Sequence, residues 1–196
     1  MQSEELLNKM RASSALLEGH FILTSGLHSD RYFQCARLLA NTVYAAETGA
    51  ALTALLPEKL DLVLSPALGG IIIGHEVARA RRLPFYFSER DGGVMVLRRG
   101  FEIPAGARVA VVEDVVTSGG SLLEAARLAR EAGAQVMAAA AIVDRTSGRS
   151  IDFGAPFVSL LKVEVTTWGP GDCPLCRAGQ PAVKPGSRHL GGKSGA

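Results

Sequence analysis

The chain is short of the features that would place it in a class at first sight. Its 196 residues include three cysteines, Cys35, Cys173 and Cys176. So small and odd a number makes no disulfide framework, and a reducing cytosol, hence a cytoplasmic protein, is the expectation. Neither sign of charge is in excess: 21 basic against 19 acidic residues leave a net +2. No dense basic run with interleaved aromatics is present, so no nucleic-acid partner is expected. No apolar run is long enough to span a bilayer, and the polar, acidic start Met1-Gln2-Ser3-Glu4-Glu5 lacks the basic and apolar parts of a signal peptide. The Gly-Lys-Ser/Thr of a Walker loop and the glycine spacing of a Rossmann fingerprint are missing too. What remains, 47% apolar and 20% charged residues, is the composition of an ordinary globular protein able to bury a core. It reads as one domain over 1–176 and a flexible tail over 177–196, where glycine, serine and basic residues collect.

What is present centres on Val109 to Ser121. Val109-Ala-Val-Val112 is a short β-branched run suited to a strand buried on both faces of a parallel sheet. Glu113 and Asp114 stand at its C-terminal end, followed by Val115 and Val116. Thr117-Ser118-Gly119-Gly120-Ser121 then turns into a helical pattern from Leu122 to Ala132. Such a turn aims backbone N–H groups and hydroxyls at a phosphate, helped by the positive end of the helix. Carboxylates repel phosphate, so acids beside a phosphate cradle point to a ligand with a polyol part as well, its hydroxyls donating to the acids.

Elsewhere strands and helices alternate, which indicates an α/β fold: a parallel sheet with flanking helices and ligands at the carboxyl ends of its strands. A helix is expected over Ser3 to Glu18, capped by Ser3, and another from Asn41 to Leu56. Between them, 19–35 reads as a hairpin of two strand-like runs around a glycine turn. Asp61 to Pro66 is a buried strand, and Ala67-Leu68-Gly69-Gly70 a tight turn before a helix from Ile71 to Arg81. That turn is a second anion site made of backbone N–H groups. Pro84 to Phe87 leads into a hairpin with an Asp91-Gly92-Gly93 tip, where Arg90 is a cation able to swing onto a phosphate, with Arg98 and Arg99 behind it. A strand from Ala134 to Val143 ends in Asp144-Arg145, and a guanidinium suits a ligand bearing a carboxylate. Phe157 to Val163 is the last core strand. Cys173-Pro-Leu-Cys176 reads as a free, buried thiol pair. Half of a zinc site or a redox pair is the competing reading, but no second such pair follows and His189 sits in the tail.

The stretch from Val109 to Ser121 resembles, at every position, the phosphoribosyl pyrophosphate (PRPP) signature of the type I phosphoribosyltransferases. Phe21, Leu23, Ser25, Gly26, Ser29, Tyr32 and Phe33 are similar to a pattern near the N-terminus of the orotate-using branch, and the resemblance runs from Leu16 to Cys176. It implies a Rossmann-like sheet with a small N-terminal hood formed by about 19–35 and the C-terminal part. It also implies a homodimer that transfers the phosphoribosyl group of PRPP to orotate, with Mg2+ held mainly through PRPP, to give orotidine 5′-phosphate and pyrophosphate. On this resemblance Val115 and Val116 belong to the PRPP site, Thr117, Ser118, Gly119, Gly120 and Ser121 hold the 5-phosphate, and Glu113 and Asp114 hold the ribose hydroxyls. Ala67, Leu68, Gly69 and Gly70 hold the pyrophosphate, and Arg90 closes over it. Asp114, Glu113 and Arg90 are the catalytic candidates. Thr117, Arg145, Tyr32 and Phe33 are the candidates for orotate. The chain departs from the branch at Gly69 and Thr24, where many members carry lysine, and in a shortened loop around Arg90 that lacks the usual lysine and histidine. Those departures keep two alternatives open, a purine phosphoribosyltransferase and a non-catalytic PRPP sensor.

Overall fold

The computed structural model describes residues 1–23 and 25–185, so Thr24 and His189 lie outside the described residues. Along the chain come α1 (Ser3–Ala12), β1 (Leu16–Ile22), β2 (His28–Phe33), α2 (Cys35–Leu39), α3 (Thr42–Thr53), β3 (Leu62–Pro66), α4 (Gly69–Arg81) and β4 (Phe85–Asp91). There follow β5 (Val94–Leu97), β6 (Arg108–Val116), α5 (Gly120–Glu131), β7 (Gln135–Asp144), β8 (Phe157–Lys162), β9 (Thr167–Trp168) and α6 (Pro174–Arg177). They form two compact units, one of Met1–Ala15 with Gln34–Glu164, the other of Leu16–Phe33 with the chain from Val165 on.

The first unit is an α/β layer structure on a six-stranded sheet of order β5-β4-β3-β6-β7-β8. The strands from β4 to β8 pair in parallel, and β5 closes one edge antiparallel to β4. Central strands of a parallel sheet are covered on both faces, which is why Val109 to Val112 are apolar without alternation and all 0% exposed. The alanine run of β7, Ala138 to Ala141, is equally buried. Leu122, Ala125, Ala126 and Ala129 recur at helical spacing on α5 and pack with Val109 and Val111 in one core. Across the sheet from them, α4 comes so close that a Cβ on Gly70 would lie 2.9 Å from the Val112 carbonyl oxygen. Asn41 caps α3 by accepting from the N–H groups of Val43 and Tyr44 at 3.0 and 3.2 Å.

The second unit is a three-stranded antiparallel sheet, β1-β2-β9, followed by α6. Val183 pairs with β1 as well: its N–H donates to His20 O and its carbonyl accepts from Ile22 N, both at 2.8 Å. The segment expected to be loose from 177 is thus tied down as far as Val183.

Three local expectations change. The first helix stops at Ala12 because Ser13 Oγ turns back onto the Lys9 carbonyl at 2.8 Å and Ser14 takes a left-handed φ of 54°. Leu16 and Leu17 keep helical spacing yet open β1. Ser3 is not a cap: it is the first helical residue, and its hydroxyl donates to Leu160 O. Finally, Cys173 is buried but Cys176 is exposed, so the two do not form a buried thiol pair.

Candidate active site

The first unit brings its conspicuous residues to the carboxyl ends of β3, β6 and β7. Pairing with β7 carries β6 beyond the apolar run through Glu113 and Asp114 to Val116, which lies opposite Asp144. Side chains alternate across a strand, so the two acids face opposite sides of the sheet. Glu113 shares the face of Val109 and Val111. With Val115, Val116 and the residues from Thr117 to Leu122 it lines a cleft of about 130 Å³. Asp114 faces the α4 side, where a Cβ on Gly69 would fall 2.5 Å from its Oδ1. The turn before α4 and the acid pair are therefore in contact through Gly69 and Asp114.

The cleft is floored by the start of α5. Gly119, the residue before the helix, has φ 78°, and a Cβ there would meet Ile151 at 2.9 Å and Phe153 at 3.1 Å. Glycine is needed for both reasons. The N–H groups of the first helical residues have no intrahelical acceptor and face an incoming anion. The other turn is fixed by Ala67 N–H donating to Ser88 O at 2.7 Å, and the Ala67–Leu68 peptide is cis.

Burial sets the electrostatics. Desolvation, and then the neighbouring Asp114 charge, push the Glu113 carboxyl up to about 8 from an ordinary 4.5. Desolvation also raises Asp114, opposed by the Val115 N–H that donates to its Oδ1 at 2.8 Å. Two acids whose charge is costly when alone suit a ligand that brings hydroxyl donors and a cation. Hard carboxylate oxygens of this kind fit Mg2+.

Arg145 follows the end of β7, its N–H donating to Val116 O at 2.8 Å. Its guanidinium and the Asp114 carboxylate both act on the buried Cys35 thiol, which burial holds well above its ordinary range. Arg90 is placed differently. Its guanidinium pairs with Glu124 of α5 at 2.9 Å and donates to Gly93 O at 2.8 Å. Arg99 pairs with Glu89 at 3.0 Å, and Arg98 lies 3.7 Å from Glu89 and 3.6 Å from Asp91, so both are occupied in surface pairs. A larger cleft, of about 470 Å³ between β5 and α5, includes Glu124 but neither glycine turn. Tyr32 and Phe33 belong to the second unit, where Phe33 is buried and Tyr32, half-buried, has its ring 6.0 Å from that of Phe21. One cation escaped the sequence reading: Arg149, whose guanidinium donates to Thr117 O at 3.3 Å and Thr146 O at 3.1 Å. Its only signal was an arginine four residues after Arg145.

Known proteins share this framework. Residues 36–172 match the family described as the phosphoribosyl transferase domain. The orotate phosphoribosyltransferase of Heliobacterium modesticaldum is 49% identical over 191 residues, covering 96% of this chain and all of that one. The orotate phosphoribosyltransferase of Thermotoga maritima is 50% identical over 188 residues, 95% of this chain and 98% of its own. Among solved structures, orotate phosphoribosyltransferase from Aeropyrum pernix superposes with a TM-score of 0.70 at 25% identity, covering 81% of this chain and 94% of that one. With the strand-borne acids, the two glycine turns and near-full-length identity of about half all in agreement, the chain belongs to the phosphoribosyltransferase family, among the orotate phosphoribosyltransferases.

Proposed function

We propose that this chain transfers the 5-phosphoribosyl group of PRPP to orotate, releasing pyrophosphate and orotidine 5′-phosphate. The observation that carries the reading is the contact of Gly69 with Asp114 at the head of β6, which sets a pyrophosphate turn against a ribose-binding acid beside the phosphate cradle. The 5-phosphate sits on Thr117 to Ser121 at the start of α5, with Arg149 adding positive charge at Thr117. Glu113 and Asp114 accept from the ribose hydroxyls. As the bond to pyrophosphate lengthens, positive charge grows at the anomeric carbon, and these carboxylates stabilise it. Bound Mg2+ would neutralise pyrophosphate as a leaving group. Arg145 pairs with the orotate carboxylate through its planar fork. The chain's own groups shuttle few protons, so positioning supplies most of the rate. The homodimer, and the placing of Tyr32 and Phe33 against the pyrimidine, enter this reading through the family resemblance alone.

Parallel trials with orotate, uracil, hypoxanthine and guanine, each with PRPP and Mg2+, test the base. Consumption of orotate alone is expected. Turnover of a purine instead moves the chain to the purine branch, and PRPP binding without turnover of any base makes it a sensor.

The raised Glu113 carboxyl predicts a pH dependence with a definite sign. Between its unfolded value near 4.5 and its folded value of about 8, the folded protein holds a proton that the unfolded chain has lost. The stability of the ligand-free protein therefore falls as pH rises through that window. Ribose hydroxyls and Mg2+ favour the ionised acid, so PRPP binding at neutral pH releases a proton. Calorimetry in buffers of different ionisation enthalpy reads that release, which Glu113→Gln abolishes. Unchanged proton release in that variant would remove Glu113 from the ribose site.

For Arg90 to close on pyrophosphate it must leave Glu124. The pair is half-exposed and worth about 0.2–1 kcal/mol. Glu124→Gln is thus expected to lower the KM for PRPP by up to about 5-fold, and Arg90→Ala to raise it. A KM unmoved by Arg90→Ala excludes Arg90 from the closed site.

A further inference from the structure

Among the described residues, the phosphoribosyl site leaves one cluster of metal-ligating side chains unused, and it lies wholly in the second unit. His20, His28, Cys173 and Cys176 bring one ligand atom each to within 4.8 Å of one another. His20 Nε2 is 2.7 Å from His28 Nδ1, 3.4 Å from Cys173 Sγ and 3.7 Å from Cys176 Sγ. Cys176 Sγ is 3.2 Å from His28 Nδ1. Zinc bonds of about 2.3 Å to sulfur and 2.0–2.1 Å to nitrogen, at tetrahedral angles, set neighbouring ligand atoms about 3.3–3.8 Å apart. The 3.4 and 3.7 Å spacings lie in that range and the 3.2 Å spacing just below it, while the two ring nitrogens, 2.7 Å apart at hydrogen-bond distance, must open by roughly 0.6 Å to share an ion.

The surroundings fit a metal ligand set. A one-residue bulge in β1 between Glu18 and Phe21 sets the register that pairs Ile22 with His28. His20 and His28 thereby become diagonal neighbours on one face of the hairpin. His20 Nδ1 lies 2.7 Å from Gln180 O. A carbonyl only accepts, so Nδ1 carries the proton and Nε2 turns a bare lone pair into the cluster. A backbone carbonyl fixing the tautomer in this way is the usual outer support of a ligating histidine. Cys173, the N-cap of α6, and Cys176, within its single turn, have the two-residue spacing of a zinc-binding pair. His20, His28 and Cys173 are 3%, 7% and 0% exposed, so three of the four ligand atoms come from buried residues, and the exposed Cys176 marks the side from which an ion enters.

The unit also has little else to hold it. Its large buried apolar side chains, among the described residues, are Leu16, Phe21 and Phe33. Units below about 70–80 residues bury too little core to be secure alone and usually add a disulfide, a metal or a partner.

We propose that His20, His28, Cys173 and Cys176 form a structural Cys2His2 zinc site that staples the β1–β2 hairpin to the segment carrying α6. Binding replaces two thiol protons: Zn2+ enters, both sulfurs coordinate as thiolates and two protons leave. The set is closed, with four protein ligands and no position for water, so the role is structural and separate from Mg2+ at the phosphoribosyl site.

The test uses the untagged, full-length protein purified without chelator. About one zinc per chain, retained through dialysis, is expected from elemental analysis. Exchange with Co2+ should give the visible d–d bands of a tetrahedral ion and a thiolate-to-cobalt charge-transfer band. Cys173→Ser and His28→Asn should each reduce retained zinc at least tenfold. If those variants fold poorly, the wild-type protein answers alone: a strong chelator should lower its melting temperature and expose two further reactive thiols, both reversed by zinc. Less than a tenth of an equivalent of zinc after growth in zinc-supplemented medium, with no tetrahedral cobalt spectrum and thiols that react at once, would overturn the site.

Discussion

Asp114→Asn lowers kcat/KM for PRPP by roughly 10- to 100-fold, a loss of about 1.5–3 kcal/mol in charge-assisted hydrogen bonding to the ribose. The carboxylate sits where β6 meets the turn before α4, partly buried, with one oxygen already held by the Val115 N–H. The amide keeps the shape but loses the charge that stabilises a cationic anomeric centre. Its folding stability should not fall, because burial raises the carboxyl's pKa and the charge costs the folded protein something. Steady-state kinetics beside a thermal melt separate the two effects. Full activity in the variant would remove Asp114 from the reaction.

Gly69→Ala is the second large effect, and it acts through the same carboxylate. The added methyl would stand 2.5 Å from Asp114 Oδ1 and 2.9 Å from its Cγ. A short side chain can yield only by turning away from the ribose. Displacement of a catalytic group by about 1 Å costs on the order of 100-fold, so kcat should fall by roughly 10- to 100-fold while the melting temperature hardly moves. Gly171→Ala, where a Cβ meets nothing within 4 Å, is the matched control. The contact also bears on the departure at this position. The resemblance to the orotate branch implies a lysine where this chain has Gly69, and here Asp114 fills the space a side chain would need. Wild-type kinetics in Gly69→Ala would mean that the Asp114 carboxylate can move without consequence.

Much of the site was legible in the sequence because it obeys strong local rules. A strand buried on both faces must be apolar, so Val109 to Val112 announced β6, and Thr117 to Ser121 announced the helix start that floors the cleft. Other features depend on partners distant in sequence. Hydropathy ends the strand at Val112, yet hydrogen bonds to β7 carry it to Val116, and only that extension sends Glu113 and Asp114 to opposite faces. Leu16 and Leu17 keep the spacing of α1, so nothing in the period reveals that Ser13 and Ser14 break it. Arg90 looked free to swing, but its partner Glu124 is 34 residues away on α5. The four-residue metal cluster was hidden most completely. Its cysteines were visible as a pair, while its histidines sit eight residues apart on neighbouring strands of a bulged hairpin, some 150 residues upstream. No spacing rule links such sets.

The central claim, transfer of phosphoribose to orotate by the site at the head of β6, is tested most directly by following orotate absorbance with purified protein, PRPP and Mg2+, with released pyrophosphate measured in the same tube. Orotate should disappear one for one with pyrophosphate formed, only when PRPP and Mg2+ are both present, and at a rate that Asp114→Asn cuts by roughly 10- to 100-fold. No loss of orotate under these conditions, or a loss that Asp114→Asn leaves unchanged, would contradict the account.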